Sequence, residues 1–116
     1  MSLNRRKLGR LAAARRRDLF FALGEPTRRS LIELIAQGEQ PVSYLAKFFP
    51  SSRQSVLDHL YILQKAGLVS ARSAGNRRYF RLRNAGLRKL RAWLAHYEQL
   101  WHRERKIPAS QREGVV

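Results

Sequence analysis

Between Val42 and Leu82 the apolar residues change period once, and that change restricts the fold to very few candidates. Up to Leu63 they recur every three or four residues; from Leu68 onward they alternate. A 3.6-residue period that gives way to a period of two places a strand pair directly after helices. Val42, Leu45, Ala46 and Phe49 fall at i, i+3, i+4 and i+7, one face of a short helix that Pro50 stops. Ser51 and Ser52 then offer hydroxyls to cap a further helix, whose inward face is Val56, Leu60 and Leu63. Gly67 closes that helix in the left-handed position. Leu68–Ala74 and Arg77–Leu82 read as strands, with Phe80 and Leu82 alternating against Tyr79 and Arg81. The intervening Gly75-Asn76 is a tight-turn signal.

The flanks are helical. Leu8, Leu11 and Ala12 keep a spacing that Leu19, Phe20 and Leu23 continue, so one amphipathic helix with a basic start is expected there. Gly24-Glu25-Pro26 breaks it, and Pro26 suits the first turn of the next helix because its missing N–H has no partner there. Glu25 stands where a cap belongs but is a poor cap by type. Leu31, Leu34 and Ile35 form that second helix's buried stripe, Arg29 and Glu33 are spaced to pair outside it, and Gly38 ends it. After the strands, Asn84 is placed to cap a last helix, in which Leu87, Leu90, Leu94, Tyr97 and Trp101 recur at three, four, three and four. That is a coiled-coil-like seam, widened by Trp93 and Leu100. The order of helices with a hairpin after the fourth predicts a mainly α fold with a small β-hairpin wing: a winged helix-turn-helix of about five helices and two antiparallel strands. The expected organisation is a basic arm over 1–17 that starts helix one, one binding and dimerisation domain over 18–106, and a polar tail over 107–116.

Charge decides which partners to consider. The 116 residues carry 24 Lys and Arg against 8 Asp and Glu, a formal +16. Such a field attracts polyanions, without choosing among nucleic acid, an anionic membrane face and an acidic protein. Seven basic residues and no acidic one lie in residues 1–17. The absence of cysteine removes disulfides and thiolate metal sites and fits a reducing compartment. No apolar run is long enough for a membrane span, and Arg10 and Arg15–Arg17 interrupt any signal-peptide core, so a cytoplasmic location is expected. No Gly-rich phosphate loop, paired carboxylates or nucleophile with a base is present, so no enzyme and no cofactor are expected.

The capped helix is the candidate reader of DNA. Its start places Ser52, Arg53, Gln54 and Ser55 at an exposed N-terminal end, the part of such a helix that enters the major groove. Arg53 can bond guanine in bidentate fashion and Gln54 adenine; Leu57 can touch a thymine methyl. His59, one turn beyond Ser55, can face DNA or the backbone. The plainer alternative is that Arg53 and Gln54 are merely solvated. Around the hairpin tip, Arg72, Asn76, Arg77 and Arg78 are placed for phosphate or the minor groove, which gives register rather than sequence.

Several segments together resemble the ArsR-type winged helix repressors. They are Ala22-Leu23-Gly24-Glu25-Pro26-Thr27-Arg28-Arg29, Val42-Ser43-Tyr44-Leu45-Ala46, His59-Leu60 with Leu63, Ala66-Gly67-Leu68-Val69, and Gly75-Asn76-Arg77-Arg78-Tyr79-Phe80-Arg81-Leu82. The resemblance spans roughly residues 18–105 and implies a sequence-specific repressor, with an inducer left open. Asp58 departs from the family pattern, where a basic or polar residue is usual; it can accept from a cytosine amine or pair with an arginine. Cysteine clusters through which many relatives sense metal are missing. His96, Glu98, His102 and Glu104 are what remains on the last helix, and the six-residue histidine spacing puts the two rings on nearly opposite sides. No metal is therefore expected, as in a metal-independent branch.

The seam of the last helix is too apolar to leave in water, since each large side chain buried contributes about 1.5–3 kcal/mol. A second copy is the expected partner, through Leu19 and Leu23 of the first helix and Leu90, Trp93, Leu94, Tyr97, Leu100 and Trp101 of the last. Packing of the seam on the chain's own first helix is the alternative. A two-fold homodimer would present two reading helices to double-stranded DNA, hence an inverted-repeat operator. The competing function is a nonspecific, nucleoid-type nucleic-acid binder.

Overall fold

The first expectation to be corrected is the continuous N-terminal helix. In the computed structural model, which describes residues 4–16 and 18–106, the chain forms α1 (Arg5–Arg16) and then a separate short α2 (Leu19–Leu23). The break has a local cause: Asp18 is extended, and its Oδ1 accepts the Phe20 N–H at 2.8 Å, starting a new helix although the apolar spacing runs straight through. α3 (Pro26–Ala36) follows, with Pro26 in its first turn. Glu25 caps it despite its type, accepting the Arg28 N–H at 3.0 Å. The expected Arg29–Glu33 pair does not form; Arg29 instead donates to the Leu23 carbonyl at 2.7 Å, over the end of α2.

The short third helix is α4 (Val42–Leu45), continued by a single 3₁₀ turn over Ala46–Phe48. α5 (Arg53–Lys65) starts as its cap requires, with Ser52 Oγ accepting the Ser55 N–H at 3.1 Å. It ends at Gly67, whose φ of 76° is the left-handed turn a glycine allows. There the Leu68 N–H reaches the Leu63 carbonyl and the Gly67 N–H the Gln64 carbonyl, both at 3.0 Å, so the last carbonyls of α5 are satisfied.

The hairpin is β2 (Val69–Ala74) and β3 (Arg77–Leu82), in antiparallel register from Val69↔Leu82 to Ala74↔Arg77. That register leaves Gly75-Asn76 as a two-residue loop, and a positive φ at Gly75 alone makes it a type II′ turn. A third strand that the sequence did not announce, β1 (Gln40–Pro41), pairs Gln40 with Phe80 and Pro41 with Tyr79 on the far side of β3. Sheet order is β1-β3-β2, so β1 is an edge, where a proline costs no ladder bond. Two residues show no period, which is why sequence spacing misses it.

The core is one cluster. Leu31 and Ile35 of α3, Val42 and Leu45 of α4, Val56, Leu60 and Leu63 of α5, Leu68, Val69 and Phe80 meet in it, with Leu19 and Ala22 of α2. Phe80 is the largest fully buried side chain. The wing is therefore pinned from below rather than attached only at its ends.

α6 (Asn84–Lys106) completes the chain; Asn84 is its first residue, not its cap. Its first turn docks on the α5–β2 junction, where the Gly86 N–H donates to the Gly67 carbonyl at 2.8 Å and the Arg83 N–H to that of Leu68 at 2.9 Å. A Cβ on Gly86 would lie 2.8 Å from the Gly67 oxygen, so only glycine permits this approach. Leu87 and Leu90 pack on the core, and from Arg91 through Arg103 every side chain of α6 is exposed.

Candidate nucleic-acid interface

The first helix-turn-helix element is α4 with its 3₁₀ turn, and the second is α5. Burial of Val56, Leu60 and Leu63 turns the opposite face of α5 outward. Arg53, Gln54 and Asp58 are exposed there, and Ser55 and Leu57 are half-buried. Gln54 Nε2 donates to Asp58 Oδ1 at 3.0 Å, one helical turn away. Asp58 thus has a partner on its own helix, and the amide of Gln54 is held with its oxygen still available as an acceptor. Arg53 forms no side-chain hydrogen bond or ion pair among the described residues. On α4 and its turn, Tyr44 and Phe48 are exposed and meet edge to face, with centroids 5.0 Å apart.

His59 sits differently from its neighbours. Its Nδ1 lies 3.2 Å from Arg28 Nη1 and 3.9 Å from Glu25 Oε2, and its side chain is 23% exposed. Sequence spacing placed it toward DNA or the backbone; one edge of the ring is instead committed to Arg28 of α3. Burial works against charge on Glu25, but the Arg28 N–H, the Thr27 hydroxyl and the neighbouring imidazole and guanidinium outweigh it, so its carboxyl is held below the usual range.

The four wing residues fall into two groups. Arg72 donates to both carboxylate oxygens of Glu39, with Nε at 2.9 and 3.0 Å, and its guanidinium lies over Tyr79. That bond keeps the Glu39 carboxyl below the ordinary glutamate value. Arg78 donates to the Tyr61 hydroxyl at 3.1 Å and lies over the Tyr61 ring. These two arginines tie the hairpin to β1's approach and to α5. Asn76, in the turn, and Arg77, beside it, are exposed, and Arg77 has no side-chain partner among the described residues.

The apolar ridge of α6 is also half out of the protein. Trp93, Leu94, Tyr97, Leu100 and Trp101 are 44–55% exposed. Trp93 meets Tyr97 at 4.6 Å and Phe20 of α2 at 4.9 Å between centroids, so the start of the ridge touches its own N-terminal region. Phe20 and Phe21 are themselves exposed beside it. Leu90 is half-buried, whereas Leu19 lies inside the protomer's core and Leu23 packs against it. Among the described residues no group of three His, Cys, Asp or Glu side chains could hold a metal, and no helix is long and apolar enough to cross a membrane. The side chain of Glu104 and residues 107–116 lie outside the described set.

No family model matches the chain, but individual proteins do. The HTH-type transcriptional regulator Rv2034 of Mycobacterium tuberculosis is 42% identical over 82 residues, 71% of this chain and 74% of the relative. The solved structure of an ArsR-like transcriptional regulator from Rhodococcus sp. RHA1 matches at a TM-score of 0.68 and 32% identity, over 79% of this chain and 84% of that one. The chain belongs to the ArsR family. A further matching structure is the homodimeric winged helix-turn-helix DNA-binding domain of Mb0332 from Mycobacterium bovis. It matches at a TM-score of 0.57 and 27% identity, over 85% of this chain and 90% of that one.

In this ArsR-family chain one residue of the interface region escaped sequence reasoning. Arg28 is only 7% exposed, yet its guanidinium is satisfied: Nε donates to the Ala22 carbonyl at 2.7 Å and Nη2 to that of Phe21 at 3.1 Å, and Nη1 meets His59. It closes the C-terminal end of α2 and touches α5 at once. The signal available in sequence was only its place in the segment that resembles the family's; nothing in the spacing marks it as buried.

Proposed function

We propose that this ArsR-family chain is a cytoplasmic homodimeric repressor that binds double-stranded DNA and reads an inverted-repeat operator with the N-terminal end of α5. What supports this reading most is the division of α5 into a face locked in the core and a capped end that carries Gln54 outward and Arg53 with no side-chain hydrogen bond or ion pair among the described residues. An unpaired guanidinium with a fixed helical mount suits a guanine edge, and the free N–H groups of the first turn suit a phosphate. Arg77 at the wing turn, together with Asn76, would bind phosphate or the minor groove, while Arg72 and Arg78 would hold the wing at the right height. The basic α1 segment would add phosphate contacts alongside. Dimerisation would cover the α6 ridge of Leu90, Trp93, Leu94, Tyr97, Leu100 and Trp101, with Phe20 and Phe21 beside it and Leu19 and Leu23 supporting from within. Repression as the sign of regulation rests on the family resemblance.

Selection of bound sequences from a random duplex pool tests the reading. The expected product is an inverted repeat whose half-sites lie about one helical turn, ~10 bp, or a multiple of it apart. Arg53→Ala should then weaken operator binding by about 1–3 kcal/mol and relax one base position. Equal loss on random duplex would overturn the assignment of Arg53. The large positive charge favours a second reading, nonspecific binding along nucleic acid, which predicts that excess random duplex strips the protein from any selected sequence.

A further inference from the structure

The buried guanidinium of Arg28 takes no part in the DNA contacts proposed for α5 and the wing. Its position is unusual: it joins three elements through one planar group. Two of its nitrogens hold the carbonyls of Phe21 and Ala22 at the end of α2, and the third faces Nδ1 of His59 on α5. The cation also lies over the Phe21 ring, 5.1 Å from its centroid. Arginine has donors only, so His59 Nδ1 is the acceptor in this bond; Glu25 Oε2, 3.9 Å from the same nitrogen, is too far to take a hydrogen bond from it. A neutral imidazole that accepts at Nδ1 carries its proton on Nε2, and the second nitrogen is then a donor only. His59 lies seven residues after Ser52 and four after Ser55, on the same helical face, and its ring is still partly open to solvent. The edge away from Arg28 is the one that remains to be offered.

We propose that Arg28 is a positioning residue for DNA recognition: by donating to Nδ1 of His59 it holds the imidazole in the tautomer that presents a single Nε2–H donor from the reading helix to a phosphate or base acceptor. This rests on the reading of α5 as the DNA-contacting helix. Because Arg28 also grips the end of α2, whose Phe20 touches Trp93, the donor is referenced to the same region that carries the apolar ridge.

Two substitutions at His59 separate the roles of its nitrogens without removing the buried arginine. His59→Asn retains an acceptor near Nδ1 for Arg28 but loses the outward donor. His59→Gln retains a donor near Nε2 but loses the acceptor. On an operator recovered by selection, His59→Gln should bind within about threefold of the parent, and His59→Asn about tenfold more weakly. Equal affinities, or the reverse order, would overturn the proposal. Arg28→Lys supplies the coupling: it should cost severalfold in the parent and less than twofold in His59→Asn, whereas equal losses in both would mean that Arg28 does not act through His59. If Arg28→Lys does not fold, the His59 pair decides alone. Nitrogen-15 NMR of the free protein, above the imidazole titration range, should show His59 protonated at Nε2, and protonation at Nδ1 would refute the mechanism. That measurement needs no DNA, so a protein with the expected tautomer but no operator would count against the DNA-reading assignment and not against the Arg28 bond.

Discussion

Replacing Gly86 by alanine sets two known effects against each other. Alanine is the better helix former by about 1 kcal/mol, and Gly86 lies within α6, so propensity alone forecasts a more stable protein. The added Cβ would stand 2.8 Å from the Gly67 carbonyl oxygen, 2.9 Å from its carbon and 2.9 Å from a Leu68 methyl. Two of these three atoms are backbone and cannot swing aside. The Gly67 carbonyl also accepts the Gly86 N–H, so moving α6 away stretches that bond too. Overpacking of this kind costs about 1–3 kcal/mol, and loss of one hydrogen bond about 1 kcal/mol more. The clash wins, and Gly86→Ala should be destabilised by about 1–3 kcal/mol net, a fall in melting temperature of roughly 5–15 °C for a domain of this size. Urea or thermal unfolding at one fixed protein concentration measures it. Gly9→Ala is the control, because a Cβ there meets nothing within 4 Å and only the propensity gain remains. A Gly86→Ala protein as stable as the parent, or more so, would refute the argument that backbone contact fixes the seat of α6.

Other outcomes follow from the same geometry. Arg77→Ala should weaken binding to all duplexes alike and lower the slope of log affinity against log salt by about one phosphate contact; an unchanged slope would remove Arg77 from the DNA contact. Leu94→Ala, at a residue 46% exposed in the protomer, should leave the protomer folded by circular dichroism yet shift sedimentation toward monomer; a variant that stays dimeric would refute the role of the ridge. The Glu39 carboxyl titrates lower when bonded to Arg72 than it does in an unfolded chain, so its bond stabilises the folded state above the ordinary glutamate range. That contribution is lost as pH falls through the lowered value, so the stability gap between the parent and Glu39→Gln should be largest near neutrality and close in acid. A gap that is constant with pH would mean the carboxylate charge is not what matters.

Where local chemistry decided the structure, the residues announced it. Ser52 starts α5, Gly67 ends it, Gly75-Asn76 turns the wing, and Phe80 points into the core, each for a reason confined to a few neighbouring positions. Reading failed where two influences competed or where the partner was remote. The apolar spacing across Asp18 says one helix, while the carboxylate of Asp18 says a new start, and the carboxylate prevails. The Arg29 side chain had two acceptors in reach, Glu33 and the Leu23 carbonyl, and took the one that satisfies a helix end. Nothing in the spacing singles out Gly86, because its neighbour Gly67 is far away in the chain. In the candidate site, the exposed positions of α5 were legible from the 3.6-residue period alone. The division of labour among the wing arginines was not, because Glu39 and Tyr61, which claim Arg72 and Arg78, come from elsewhere in the fold.

The seat of α6 at Gly86 has a mechanical consequence. Fifteen residues separate Gly86 from Trp101, about 22 Å along a helix at 1.5 Å per residue. A ten-degree swing about that pivot displaces the far end by about 4 Å, close to the width of a methyl-sized step in a packed interface. The helix therefore behaves as a lever whose short arm rests against the base of the wing and whose long arm carries the exposed apolar ridge. Anything that grips the long arm transmits torque to the place where the wing begins.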